Sequence, residues 1–252
     1  MPQVVAHRGA SGLYPEHTLA AYRAAVAQGA DALECDVRLT ADGELVCFHD
    51  RTLLRTGLRE GIISASTLAQ LETIDFGAWK KPSTVEWSRE EVGILTMRRL
   101  LEFALENKVR LAIETKHPTR YGNRVEEALI RLLAEYGLTG PDSPVRIMSF
   151  SWKALRRVRR LAPDLEVVYL MDRPHRWWRA RLMGEPDWIA GPGIDVVRRF
   201  PALAERWAAS PTRVHVWTVN EPEDMDLCAA YGFEALITNW PSEMRARLET
   251  TR

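Results

Sequence analysis

The feature that most restricts this chain is a regular alternation. Short β-branched or apolar runs are separated, from one end to the other, by longer segments with helical periodicity. A parallel sheet with crossover helices imposes that pattern. Strand-like runs fall at 3–6, 32–37, 44–48, 110–114, 145–150, 166–170, 187–190, 213–219 and 234–238. Helical segments fall at 18–28, 96–106, 124–136, 151–161, 201–209 and 223–231. Ser151 stands where an N-cap belongs, and Pro222-Glu223 puts a proline and an acid in a first turn. Barrels of eight βα units typically take about this length as one unit. The expectation is an α/β protein, a (β/α)₈ TIM barrel forming a single domain over 1–252.

Nine strand-like runs compete for eight positions. The second and third are joined only by Leu39-Thr40-Ala41-Asp42-Gly43, too short for a crossover helix. Either the turn at Asp42-Gly43 folds a hairpin over the barrel top, or one run lies outside the closed sheet. The sequence leaves both open. Residues 51–95 have no clean period, contain Trp79 and Trp87, and read as an insertion over the mouth after the third strand.

Position within a strand points to chemistry. Residues two apart share a face, so Glu34 pairs with Asp36, Glu114 with Lys116, and His7 with Gly9. A half-solvated sheet would alternate in the same way without any function. Barrel strands, however, are covered outside and packed inside, so charges at their carboxyl ends have only the mouth to occupy, where such barrels place their sites. Glu34, Asp36 and Glu114 supply hard oxygen ligands suited to Mg²⁺ or Ca²⁺. Without a cation, carboxylates that close would raise one another's pKa. Arg8 and Lys116 suit the non-bridging oxygens of a phosphate. His7 and His49, at two strand ends, offer a proton acceptor and a proton donor near neutral pH, in an order the sequence does not reveal.

The ordered set His7-Arg8-Gly9-Ala10, Pro15-Glu16-His17-Thr18, Glu34-Cys35-Asp36-Val37, Asp42-Gly43 and His49-Asp50 resembles the N-terminal signature of the glycerophosphodiester phosphodiesterase family. Glu114-Thr115-Lys116, Ser149-Phe150, Trp217-Thr218-Val219-Asn220 and Ile237-Thr238-Asn239-Trp240-Pro241 follow in the family's order across nearly the whole chain. The resemblance implies a (β/α)₈ barrel and metal-dependent hydrolysis of glycerophosphodiesters to glycerol 3-phosphate and an alcohol. Glu34, Asp36 and Glu114 would be the metal ligands, His7 and His49 the catalytic pair, and Arg8 and Lys116 the phosphate contacts. It further implies Glu16 as a site acid, Trp217 as an aromatic wall beside the alcohol portion, and Phe150 lining the same cavity. Two positions depart from the family: the usual Pro-Glu-Asn-Thr has His17, and the usual Thr-Asp-x-Pro has Asn239. Neither is expected to touch the metal or histidine set. A lysophospholipase D using the same site, or a barrel that binds phosphate without turnover, are the alternatives.

Other features carry less. Thirty-four basic residues balance thirty-four acidic ones, which removes a general case for nucleic acid. The three cysteines, Cys35, Cys47 and Cys228, have no zinc-ligand spacing and fit a reducing compartment; Cys47 is expected to fill the barrel interior. With no signal-like leader or membrane-length apolar run, the reading is cytoplasmic. Trp177, Trp178 and their neighbouring arginines suit either a membrane-surface helix or an outer barrel helix, and the latter is favoured. The arginines of 156–160 read as a solvated face behind a stripe of Leu155, Val158 and Leu161, and His117, His175 and His215 as solitary.

Overall fold

The computed structural model describes residues 1–80, 87–173 and 187–250. Among these are nine strands: β1 (Gln3–His7), β2 (Ala32–Leu39), β3 (Leu45–Cys47), β4 (Arg110–Thr115), β5 (Val145–Ser149), β6 (Glu166–Met171), β7 (Ile189–Pro192), β8 (His215–Val216) and β9 (Ala235–Thr238). Eight follow the order β7-β6-β5-β4-β2-β1-β9-β8, every pairing parallel. The two ends meet through parallel bridges Ala190–Val214 and Gly193–Trp217, so the sheet is a nearly closed (β/α)₈ barrel.

The surplus run is β3, which pairs antiparallel with β2 alone in that sheet, Val37 opposite Cys47 and Leu39 opposite Leu45. Gly43 takes φ +90° in the turn between them, a conformation glycine adopts without penalty. β3 is therefore a hairpin arm outside the barrel ring. Cys47, expected in the barrel interior, belongs instead to the outer core with Cys35 and Leu95.

Most helices form where the periodicity places them, because their caps are in the sequence. Thr18, Thr96 and Ser151 each accept a backbone N–H at the starts of Leu19–Ala27, Met97–Glu106 and Trp152–Leu161. Arg124–Glu135, Pro201–Ala208 and Pro222–Ala230 follow, and Ile194–Arg199 and Pro241–Thr250 are additional. The stripe on Trp152–Leu161 is Ala154, Leu155 and Val158, while Leu161 is exposed. Its arginines are not simply solvated, since Arg157 pairs with buried Glu126 and Arg159 with Asp187. Residues 51–80 and 87–95 contain only short helices around a small core of Phe48, Leu53, Ile63, Leu71, Ile74 and Phe76. Residues 175–183, with the two tryptophans, lie outside the described residues. Among the described residues no helix is long and apolar enough to cross a membrane.

Strand parity sorts the side chains into layers. Leu33, Cys35, Val37, Leu111 and Ile113 face the helices. Val5, Ala32, Ala112, Met148, Val168, Ile189 and Ala235 fill the middle of the barrel. Below them Arg146 meets Glu166 at 2.7 Å, Gln3 at 3.0 Å and Glu234 at 3.3 Å, and Glu234 also holds His215 at 3.2 Å and Arg213 at 2.5 Å. This closes the amino-terminal end with a paired polar layer, so His215 is not solitary. One step above the apolar layer, the same parity brings His7, Glu34, Glu114 and Phe150 to the open end.

Candidate active site

At the carboxyl end of β1 the chain turns sharply. Arg8 has φ +59° and Gly9 φ +85°. A Cβ on Gly9 would lie 2.6 Å from the Ala21 carbonyl carbon, so only glycine lets Leu19–Ala27 pack this close. Two bonds pin the turn to β2: Arg8 N–H donates to Glu34 Oε2 at 3.0 Å and to Glu34 O at 3.2 Å.

Glu34, Asp36 and Glu114 come together as their spacing predicts. Each offers one carboxylate oxygen, and the three oxygens lie within 4.8 Å of one another, all on buried residues. Oxygen ligands on opposite sides of a divalent cation at about 2.1 to 2.4 Å would span a similar distance. Burial, then the Asp36 charge, pushes Glu34 well above the usual carboxylate range and Glu114 up to about 8. Burial opposes ionisation of Asp36 too, but Lys116 and Arg8 hold it well below that range. Asp36 Oδ1 is buried without a hydrogen bond; Lys116 Nζ lies 2.9 Å away outside hydrogen-bonding geometry. Three clustered hard oxygens, two of them on carboxyls whose ionisation burial and Asp36 resist, fit a divalent cation, which would favour their charged forms.

The two histidines face one cavity with different backing. His7 Nδ1 donates to Asn239 Oδ1 at 2.7 Å, which leaves Nε2 as an acceptor 4.0 Å from Glu34 Oε2. Burial, then Arg8, takes His7 down to about 3. His49 Nδ1 donates to Asp50 Oδ1 at 2.7 Å. His49 is also lowered, mainly by burial, while Asp36 and Asp50 support its charged form.

Cations complete the ring. Arg8 Nε lies 3.1 Å from Asp36 Oδ2 and its Nη1 donates to Glu16 at 3.0 Å. Lys116 bridges Asp36 and Glu114 at 2.9 and 2.8 Å. Both also line a cavity of about 140 Å³ with His7, Glu34, His49 and Glu114. Phe150, Leu170, Trp217 and Ile237 form its apolar side. The Phe150 and Trp217 rings meet edge to face at 5.3 Å, and Trp217 Nε1 is anchored on Gly191 O at 2.8 Å. Glu16 lies apart from the carboxylate triad. It accepts both Arg55 Nη groups, at 2.8 and 2.7 Å, tying the segment after β3 to the mouth. Although burial opposes it, the Arg55 bond and Arg8 hold Glu16 down to about 2.

Both departures from the family pattern touch the site, contrary to expectation. His17 donates Nε2–H to Asp36 Oδ2 at 2.9 Å and contacts Tyr22 through Nδ1 at 3.0 Å, so it braces a triad carboxylate. Asn239 braces His7 and also accepts from Ser11 Oγ at 3.0 Å. Sequence reasoning missed Asp50 as a partner of His49, although the two are adjacent. It also missed Arg38, which donates Nε and Nη2 to the His49 carbonyl at 3.0 and 2.7 Å; its position two residues after Asp36 was the available signal. His117 is paired with Glu126 at 2.5 Å rather than solitary.

Comparisons with known proteins point to one family. The model of the Glycerophosphoryl diester phosphodiesterase family matches residues 7–243. The Mycobacterium tuberculosis (strain H37Rv) protein named "Probable glycerophosphodiester phosphodiesterase 1" is 42% identical over 257 residues, covering 100% of this chain and 94% of the relative. The glycerophosphodiester phosphodiesterase of Bacillus subtilis is 33% identical over 245 residues, 94% of this chain and 83% of its own. A solved Oleispira antarctica phosphodiesterase, in complex with the product sn-glycerol-3-phosphate, superposes with a TM-score of 0.85 at 27% identity, covering 99% of this chain and 97% of that one.

Proposed function

Since the chain belongs to the glycerophosphoryl diester phosphodiesterase family, and so is a phosphoric diester hydrolase, we propose that it hydrolyses glycerophosphodiesters to glycerol 3-phosphate and an alcohol, using His7 as base and His49 as acid. The observation that carries this is the unequal backing of two histidines on one cavity: an amide oxygen behind His7 and a carboxylate behind His49. A neutral partner leaves His7 Nε2 unprotonated, ready to take the proton of the attacking hydroxyl, whether that of water or of the glycerol 2-position. A carboxylate partner favours the imidazolium of His49, which protonates the oxygen of the departing alcohol.

Glu34, Asp36 and Glu114 would hold a divalent cation, Mg²⁺ or Ca²⁺. When bound it would neutralise charge on the phosphoryl oxygens. Arg8 and Lys116, on the cavity wall, supply further positive charge to the phosphate as charge builds in the transition state. Phe150 and Trp217 exclude water from one side and pack against the carbon skeleton of the substrate. The substrate proposed is a small molecule, in keeping with the glycerol phosphate product held by the Oleispira antarctica relative.

The test is release of glycerol 3-phosphate from glycerophosphocholine with Mg²⁺ or Ca²⁺, with chelator, and with His7→Ala and His49→Ala variants. Cation-dependent release lost in both variants is expected. Release that survives chelator, or survives either substitution, overturns this mechanism.

A further inference from the structure

The inward row of β2 does not stop at Asp36. Arg38 is the next residue on that face, and beside the active cavity it lines a second groove. Arg38 and Arg51 line the groove from the β2 side and the start of the segment after β3, and Arg120 from the loop after β4, with Ser64 and Thr119 between them. A bond from Tyr121 Oη to Ser64 O at 2.6 Å ties the two walls together. Among the described residues no carboxylate lines it. Elsewhere around the barrel ends, Arg8, Arg55, Arg146 and Arg213 each meet an acid. Among the described residues none of the three groove arginines does. Three arginines lining one groove, in a chain whose formal net charge is zero, concentrate positive charge there, although Arg38 gives Nε and Nη2 to the His49 carbonyl and Arg120 lies over the Tyr121 ring.

Its position says which part of a substrate it meets. Arg38 holds the main-chain carbonyl of His49, so the groove lies directly behind the histidine assigned to the departing alcohol. It sits on the β2–β4 flank, across the mouth from Trp217.

We propose that this groove is a subsite for a second phosphate on the departing alcohol, so that the preferred diesters carry a phosphorylated polyol headgroup. This rests on the phosphodiesterase reading above. A phosphate monoester presents two charges and several acceptor oxygens, which planar guanidinium forks match better than a single ammonium would. Arg51 and Arg120 are exposed and make no contact with the carboxylate triad or the histidines, so they set headgroup preference without taking part in bond breaking.

The experiment compares glycerophosphoinositol with its 4-phosphate, using the full protein with saturating Mg²⁺ or Ca²⁺, beside an Arg51→Gln/Arg120→Gln double variant. The wild type is expected to show a KM lower by about tenfold for the phosphorylated diester, a gap that narrows as salt screens the groove. The double variant is expected to bring the two KM values within about twofold, with kcat and KM for the unphosphorylated diester unchanged. Equal KM values in the wild type, or a preference that survives the double substitution, overturn the subsite while leaving the phosphodiesterase reading in place. Hydrolysis of neither diester, nor of glycerophosphocholine, overturns both.

Discussion

Asn239 Oδ1 lies 2.7 Å from His7 Nδ1, so an uncharged amide stands behind one histidine where Asp50, at the same distance, stands behind the other. His49 is also the more exposed of the two, and the difference in backing is the basis of the roles proposed for them.

Replacing Asn239 by alanine removes the acceptor that fixes the His7 tautomer. The expected result is a fall in kcat of about ten- to a hundredfold with KM little changed. Asn239→Asp should instead retain activity and move the acid limb of the kcat/KM profile to higher pH, because a carboxylate favours the His7 imidazolium. An acid limb unmoved by Asn239→Asp would remove His7 from the role of base.

Asp50→Asn withdraws the charge that supports protonated His49. The basic limb of the profile should move to lower pH, and kcat at pH 8 should drop by about tenfold. A pH–rate series on both proteins reads this directly, and a basic limb that stays in place would take the acid role away from His49.

Glu114 links stability to pH. A carboxyl at about 8 in the fold and 4.5 when exposed keeps its proton in the native state between those values. The native state then binds more protons than the unfolded one, so stability falls as pH rises through that window. His7, lowered to about 3 from 6.5, acts below pH 6.5 and in the opposite sense, since there the unfolded state binds the extra proton. The thermal midpoint of the metal-free protein should therefore decline from pH 6.5 to 8 by several degrees. Glu114→Gln should reduce that decline, Glu34 contributing the remainder in the same sense, and excess Mg²⁺ or Ca²⁺ should reverse it in the parent.

His17→Phe strips Asp36 Oδ2 and the Tyr22 hydroxyl of their shared partner. Cation affinity measured by calorimetry should weaken about ten- to a hundredfold. His17→Asn, the residue usual in the family, should recover part of it.

The barrel and the inward faces of its strands were legible because both are local periodicities. Glu34 with Asp36, and Glu114 with Lys116, share a face by spacing alone, and the carboxyl end of a barrel strand has one destination. What stayed hidden depends on contacts between distant segments. Asn239 and His7 are 232 residues apart, and the touch of His17 on Asp36 depends on how the left-handed turns at Arg8 and His17 fold back over β2. The short helices between β3 and β4 are too brief to show a period, and Ile194–Arg199 is rich in β-branched residues that suit a strand equally well. β3 was ambiguous for a different reason: a five-residue link excludes a crossover but does not say which way the next run goes.

The paired polar layer of Arg146, Glu166, His215 and Glu234 makes the barrel a vessel with a sealed floor. Among the described residues the cavity opens at the other end, the carboxyl end of the strands. On the proposed reaction, glycerol 3-phosphate would leave by the route through which the diester arrived, and while it lingered the next substrate would wait outside. Added glycerol 3-phosphate should therefore inhibit competitively, and substitutions at the rim should change the rate of departure as much as the rate of arrival.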